Sequence, residues 1–424
     1  MVCQMNILVI GNGGREHSIC WAISQNPKCK NIYCVPGSDG ISEVAKSIDI
    51  DTSNSTLIIE FCKAKHIDLV VIGPEGPLEK GLSDQLNSAR ILTFGPSKNA
   101  AKLESSKVFT KNVCKSFNGP TARYEEFDNI DAAKKFLKNT TFPTVIKRDG
   151  LAEGKGVTIV ENYEKATEAL KKIFYHNSRK EKVLIEEHLS GEEASLFIIS
   201  DGVDYLSLGS AQDHKRLLDN DEGPNTGGMG AYSPAPILTK AIEKKAIKHI
   251  IKPTIDEMGK RGKPFRGILY AGLMICDGLP YLIEYNVRFG DPECQVLMMR
   301  LGGQILDVIL DCLNGNLKNS KVNWANDHAL TIVLTAKGYP NEYTLGDNIP
   351  NLSKIKEHTD LKIFHAGTKK ISGLYYSNGG RVLNVTTRGV NLKEAQGSAY
   401  RTVSKINWKG GFYRQDIGDK GIRD

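Results

Sequence analysis

Glu284 and Asn286 lie two apart in the polar run LIEYNVRFGDPE, residues 282–293. On a strand, residues two apart share a face, so the carboxylate and the amide point the same way. Both present oxygen, the donor that suits Mg²⁺ or Mn²⁺. Arg288 continues that face. An acid, an amide oxygen and a guanidinium in line suit a metal held beside a triphosphate or an acyl phosphate. Plain alternation on a half-exposed strand gives the same spacing, but the polar GDP turn that follows favours a site.

Four other segments carry chemistry. In DGLAEGKGV, residues 149–157, two glycines bracket Lys155, and Lys147 lies on the strand before them. A glycine hairpin with a lysine can close over a nucleoside triphosphate. It is not a Walker A loop, and a solvent-exposed hairpin fits as well. In VLIEEHLSGEEAS, residues 183–195, Glu186 and Glu187 end a strand and Glu193 follows a turn. Such a strand end can offer backbone groups to adenine and a carboxylate to ribose hydroxyls; a charged surface loop reads the same. The run from Ala211 to Pro234 sets Asp213, His214, Lys215 and Arg216 together, with Asn225 before a glycine cluster. His214 can serve as a base, though a histidine in a charged loop more often holds structure. The turn GNGGREH, residues 11–17, suggests a dinucleotide fold. Glu16 stands where the third fingerprint glycine belongs, and the second strand ends in CVPG, residues 34–37, with no acid in the usual ribose-binding place. NAD is therefore disfavoured, which leaves a sugar phosphate or an empty tight turn.

These groups need a scaffold. Apolar runs at residues 7–10, 31–35, 69–72 and 92–94 each close on Gly or Pro, and the first leads into a helix over 15–24. Strands that alternate with helices in this way predict a parallel βαβ domain over residues 1–100. A helix is expected over 100–114. A small α/β module is expected over about 120–190, with strands at 145–148, 157–160 and 182–187 and a helix at 164–174. Residues 195–313 read as strand-rich with long polar loops. One of these, 213–236, has almost no periodicity, and a loop of that length is usually functional. A further strand-and-helix region after 325 predicts a small C-terminal domain. The fold class is α/β and α+β, multidomain.

The chain has 424 residues, enough for two to four domains. Its formal net charge of +7 comes from lysines and arginines spread among acids, not from a basic stripe, so no nucleic acid is expected. No apolar stretch is long enough to span a membrane. The apolar start runs straight into the glycine turn without a basic region, unlike a signal peptide. The nine cysteines are odd in number and contain no CxxC pair, which fits free thiols in a reducing cytoplasm rather than disulfides or zinc.

Taken together the segments resemble the ATP-grasp superfamily and, within it, the phosphoribosylamine–glycine ligase family. The likeness runs through GNGGREH, GPEGPL, GPSKNAAKLESSKVFTK, KRDGLAEGKGV, EEHLSGEEAS, QDHKRLLDNDEGPNTGGMGAYSPAP, GILYAGLM, IEYNVRFGDPE, FHAGT and NGGRVL, in that order. The long QDHKR-to-PAP stretch is the most specific. The resemblance implies an N-terminal substrate domain (1–100), a two-part ATP-grasp core (101–325) and a C-terminal domain (326–424). It implies that Lys107, Lys147, Lys155, Glu186, Glu187, His188 and Leu189 hold ATP, with Glu193 on the ribose and Arg216 and Asn225 at the phosphates. It implies Mg²⁺ or Mn²⁺ on Glu284 and Asn286. The GNGG turn with Asn12, Gly13, Gly14 and Arg15, together with Asp213, Lys215 and Arg288, would face 5-phosphoribosylamine and glycine. Asp213, Lys215 and Arg288 would be the catalytic groups. The sequence departs from the family at Glu153, usually a small residue, and at Arg148, where ADG is common. The expected activity joins glycine to 5-phosphoribosylamine with ATP, through glycyl phosphate, in a monomeric cytoplasmic enzyme. The rivals are a sibling ATP-grasp carboxylase or formate ligase, and a silent nucleotide-binding scaffold.

Overall fold

The structure, a computed structural model, describes residues 4–152, 156–175 and 181–422. The chain opens on a five-stranded sheet, every pairing of which is parallel. Its central strand, Met5–Gly11, is buried on both faces. Ile7 and Val9 enter one apolar cluster while Leu8 and Ile10 enter another, as period-two alternation requires. A strand covered on both sides reads as a continuous apolar run, which is why ILVI is so legible. Met5–Gly11 lies between Cys29–Pro36 and Leu69–Ile72. The strand order turns there, so the crevice at the carboxyl ends holds both the GNGG turn and the turn leading to Glu75.

The small module is a four-stranded antiparallel sheet of Tyr124–Phe127, Val183–Glu187, Thr144–Arg148 and Val157–Val160. The helices Ile130–Leu137 and Tyr163–Tyr175 close its own apolar core. A nine-stranded sheet forms the rest of the scaffold. It begins at the hairpin of Leu279–Asn286 with Arg266–Cys276. It continues through Glu192–Asp201, Tyr205–Asp213 and Gly230–Ser233 into His328–Ala336.

Three expectations are corrected here. The helix expected over 100–114 is two helices, Lys102–Ser105 and Lys107–Ser116, separated by extended Ser106. The Ser106 side chain caps the second helix through the Phe109 amide and donates to Asp149, and this sets Lys107 in a half-buried first turn. The stretch 213–236 is not a structureless loop. It contains the hairpin Arg216–Leu218 with Glu222–Asn225, then the fully buried strand Gly230–Ser233. Residues 195–313 also hold helices that were not expected. Lys240–Ala246 runs through a π-helical segment, Ile247–Ile251, into Lys252–Lys260. Pro253 reads as a breaker, and the widened turn before it absorbs the lost amide and the ring. Glu293–Leu301 is buried nearly all round, so it shows no amphipathic stripe to read. The C-terminal region has its own apolar cluster and joins the nine-stranded sheet, where His328–Ala336 pairs with Gly230–Ser233.

Candidate active site

A cleft of about 680 Å³ opens where the N-terminal crevice, the small module, the nine-stranded sheet and the C-terminal segment meet. Glu284 and Asn286 line it from the last strand of the sheet. Register slips beside Glu284, between Gly272 and Leu273 of the neighbouring strand, and such bulges re-aim side chains. Among the described residues neither the Glu284 carboxylate nor the Asn286 amide has a hydrogen-bond or ion-pair partner. Two unengaged oxygen donors on one wall fit a hard divalent cation that takes its remaining ligands from phosphates and water. No cluster of three or more His, Cys, Asp or Glu among the described residues offers a rival metal cage.

The cations opposite come from two elements. Lys107 donates to the Gly150 carbonyl at 3.0 Å. Burial pushes its ammonium below the usual lysine range, and the charge of Glu284 partly offsets this. Lys147 lies 2.9 Å from Glu186, and Lys111 lies 3.2 Å from the other oxygen of the same carboxylate. The Lys111 contact is a close ion pair rather than an aligned hydrogen bond, since that oxygen has no geometrically good donor. All three side chains are 5% exposed or less, so the triad is buried with a surplus of one positive charge. The backbone of Glu186 is occupied by its neighbours Tyr124 and Val145 in the sheet. Its carboxylate holds two lysines, and its carbonyl accepts from the Thr144 hydroxyl at 2.6 Å. Glu187 turns away to Arg123, 2.7 Å from it, and does not line the cleft. His188 and Leu189 follow the strand, and their amides have no partner among the described residues.

At the other end, Lys215 lies 2.5 Å from Glu193. Burial alone would lower the Lys215 ammonium, but Glu193 and Asp213 hold it well above its usual range. Burial, and then the charges of Glu293 and Glu193, push the Asp213 carboxyl up to about 7 against the pull of Lys215. Tyr270 donates to Glu293 at 2.8 Å and accepts from Ser195 at 2.9 Å, so this wall is rigidly bonded. His214 is not a base of this site. Its ring is buried outside the cleft wall, and burial with the charge of Arg414 lowers its pKa to about 4.

Arg288 lies beyond the end of the strand, and so does not continue its face. It lines the cleft but is clamped, 2.9 Å from Glu75 and 2.9 Å from Glu104. Arg15 joins this cluster at 3.8 Å from Glu75. Of the GNGG turn, only Arg15 reaches the cleft wall; Asn12, Gly13 and Gly14 do not. The Gly13 amide already donates to Glu16 at 2.8 Å, so the residue that breaks the dinucleotide fingerprint fills part of the anion-binding position. Arg216 and Asn225 line the cleft from the short hairpin. Lys155 and Glu153 lie outside the described residues.

The sequence reading missed Lys111, Glu75, Glu104, Arg381 and Lys420, all of which line the cleft. Lys111 was within reach, because it sits four residues after Lys107 and so shares its helix face. Arg381, which donates to the carbonyls of Gly227 and Asp291, lies in the NGGRVL segment, to which no role was given.

Three family models together match most of the chain. They are the N domain (residues 5–104), the ATP-grasp (A) domain (105–294) and the C domain (329–420) of phosphoribosylglycinamide synthetase. The phosphoribosylamine–glycine ligase of Agrobacterium fabrum is 48% identical over 420 residues, covering 99% of each chain. The chloroplastic ligase of Arabidopsis thaliana is 48% identical over 440 residues, covering 98% of this chain and 83% of that protein. A crystal structure of the ligase from Thermotoga maritima superposes with a TM-score of 0.85 at 34% identity, covering 97% of this chain and 100% of that one. The biotin carboxylase domain of a Hydrogenobacter thermophilus 2-oxoglutarate carboxylase, at 16% identity and TM-score 0.71, shares the fold.

Proposed function

The chain belongs to the phosphoribosylglycinamide synthetase family and catalyses the ATP-dependent ligation of glycine to 5-phosphoribosylamine; we propose that it does so with the cleft residues in the following roles. ATP lies between the small module and the nine-stranded sheet. The free amides of His188 and Leu189 meet adenine, and Glu193 meets the ribose. Lys107 and Lys147 face the phosphates, with Arg216 and Asn225 at the hairpin side. Lys155, outside the described residues, would add its charge to them. Glu284 and Asn286 would hold Mg²⁺ or Mn²⁺, whose chemistry is to offset charge on the transferring phosphoryl group.

Glycine's carboxylate is a poor acyl donor, because its leaving group would be oxide. Attack of that carboxylate on the terminal phosphorus gives glycyl phosphate and ADP. The amine of 5-phosphoribosylamine then attacks the acyl carbon, and phosphate leaves as the amide forms. Asp213, with a carboxyl near neutrality, is placed to take the proton that the amine gives up. Lys215 stands beside it as a fixed positive charge for the developing oxyanion. Arg288 and Arg15, at the switch-point crevice, suit the phosphate of 5-phosphoribosylamine. No enzyme nucleophile is needed, so catalysis comes from positioning and electrostatics.

The observation that carries this reading is the pair of unengaged oxygen donors, Glu284 and Asn286, facing Lys107 across a single cleft. The eight cysteines described are all free, which supports the cytoplasm. Among the described residues no helix is long and apolar enough to cross a membrane. The test is a coupled ADP assay with 5-phosphoribosylamine generated in situ. ADP release should require glycine, and release supported instead by bicarbonate or formate would refute the reading.

A further inference from the structure

Among the described residues Arg414 is the largest fully buried side chain, and it lies two residues after the short strand Gly411–Phe412. Burying a guanidinium is costly unless its donors are matched. Here Nε and Nη2 fork onto the two oxygens of Asp416 at 2.7 and 2.6 Å. Nη1 donates to the Arg216 carbonyl at 3.0 Å and to Asp221 at 2.9 Å. Those acceptors belong to the short hairpin that brings Arg216 and Asn225 to the cleft. The bonding also runs in the other direction. The Asn220 amide donates to Asp416 and the Gln415 amide to Asp219, each at 2.8 Å.

The turn of that hairpin needs such support. Asn220 and Asp221 both sit in the left-handed region, with φ of 59° and 56°. Non-glycine residues hold this conformation when their surroundings over-determine it. The tail is fixed from behind as well. Tyr400 bonds the Arg414 carbonyl and the Ile417 amide, and Gln396 donates to the Ile417 carbonyl. Further along the tail, Lys420 pairs with Asp221 and lines the cleft.

We propose that the C-terminal tail is part of the nucleotide site: Arg414 is a positioning residue that locks the Arg216–Asn225 hairpin against the cleft, and Lys420 is a further cation on that wall. The proposal rests on the reading that Arg216 and Asn225 face the nucleotide. A substitution in the tail therefore acts on ATP and not on glycine.

The test uses the full chain with Arg414→Lys, which keeps the charge but loses the fork. KM for ATP should rise about fivefold or more while KM for glycine stays within about twofold. Hydrogen exchange should accelerate in residues 216–225 and not in the nine-stranded sheet. Arg216→Ala is measured beside it, and the two are combined. If Arg414 acts through the hairpin, the loss in the double variant falls well short of the sum of the two single losses, the remainder being what Asn225 carries. Additive losses, or equal rises in both KM values, would overturn the positioning role. If Arg216→Ala itself leaves KM for ATP unchanged, the nucleotide placement is wrong instead. Should Arg414→Lys fail to fold, Asp416→Asn breaks the same fork and is held to the same outcomes. Lys420→Ala should raise KM for ATP without altering hairpin exchange, and no rise would remove it from the site.

Discussion

Replacing Glu186 by Gln separates two roles that a residue in a nucleotide cleft can play. The carboxylate lies 2.9 Å from Lys147 and 3.2 Å from Lys111, with all three side chains almost fully buried. At an effective dielectric of about 20, each contact is an attraction of roughly 5 to 6 kcal/mol, most of it offset by desolvation. Breaking a buried pair of this kind costs about 3 to 5 kcal/mol, because an uncompensated charge is left behind. The variant leaves two buried ammonium groups facing each other, so the small module should lose about that much stability. Thermal unfolding, with hydrogen exchange followed in Val183–Glu187 and Thr144–Arg148, would read the loss. The nucleotide moves the other way. The triad carries a surplus charge of one, and the variant a surplus of two, so affinity for an unreactive ATP analogue should hold or improve where the protein is folded. Adding Lys111→Met restores the surplus of one and should recover part of the stability. A Glu186→Gln protein of unchanged stability, or one whose nucleotide affinity falls, would refute this account and return Glu186 to direct nucleotide contact.

Glu284→Gln should abolish turnover with the fold intact, since that carboxylate bonds nothing among the described residues; near-normal glycine-dependent ADP release would sink the metal assignment. Asp213, pushed up to about 7, should give kcat/KM an acidic limb near that pH, because below it the carboxyl keeps its proton. Glu293→Gln removes one of the raising charges and should move the limb to lower pH, which a pH–rate profile would show. The sign for stability is opposite to that of a salt-bridged acid. The folded pKa exceeds the unfolded value, so the contribution is present at low pH and lost as pH rises from about 4 to about 7. Gly14→Ala would put a Cβ 2.3 Å from the Asn384 amide nitrogen and 2.7 Å from that of Gln295. It should cost about 1 to 3 kcal/mol, measured as a fall in unfolding midpoint.

The parts legible in the sequence were those where local chemistry and fold agree. The strand Leu69–Ile72 was read to the residue, since an apolar run closed by Gly-Pro admits little else. Glu284 and Asn286 were readable because period two on a strand fixes their shared face. Arg288 was misread by the same rule, because the strand stops at Asn286 and nothing local marks that end. The buried strand Gly230–Ser233 is four residues of GAYS. Its identity depends on the neighbours Tyr205–Asp213 and His328–Ala336, one of them about a hundred residues away. Glu75 and Glu104 look like surface acids in sequence. Only the tertiary fold aims both at one guanidinium.

That guanidinium shows how the halves of the reaction can be kept in step. Glu75 comes from the N-terminal crevice, and Glu104 from the helix just before Lys107. Glu104 also accepts the Val287 amide at 2.7 Å, one residue beyond Asn286. Arg288 therefore ties the crevice proposed for the sugar phosphate to the segment that carries the metal donors and to the turn that presents Lys107. A phosphate arriving beside Arg288 and Arg15 meets Glu75 already there, as a partly exposed carboxylate held down to about 2 by those same arginines. With the sugar phosphate placed there as proposed, binding would be an exchange of anions on a fixed guanidinium rather than the filling of a bare positive pocket. Such an exchange gives up little net Coulomb energy, and its selectivity has to come from geometry: Glu75 meets both arginines through one oxygen, whereas a tetrahedral phosphate would offer each guanidinium an oxygen of its own. The clamp by Glu104 on the opposite side keeps Arg288 in place through the exchange, so that the donors at Glu284 and Asn286 stay registered whichever anion is bound.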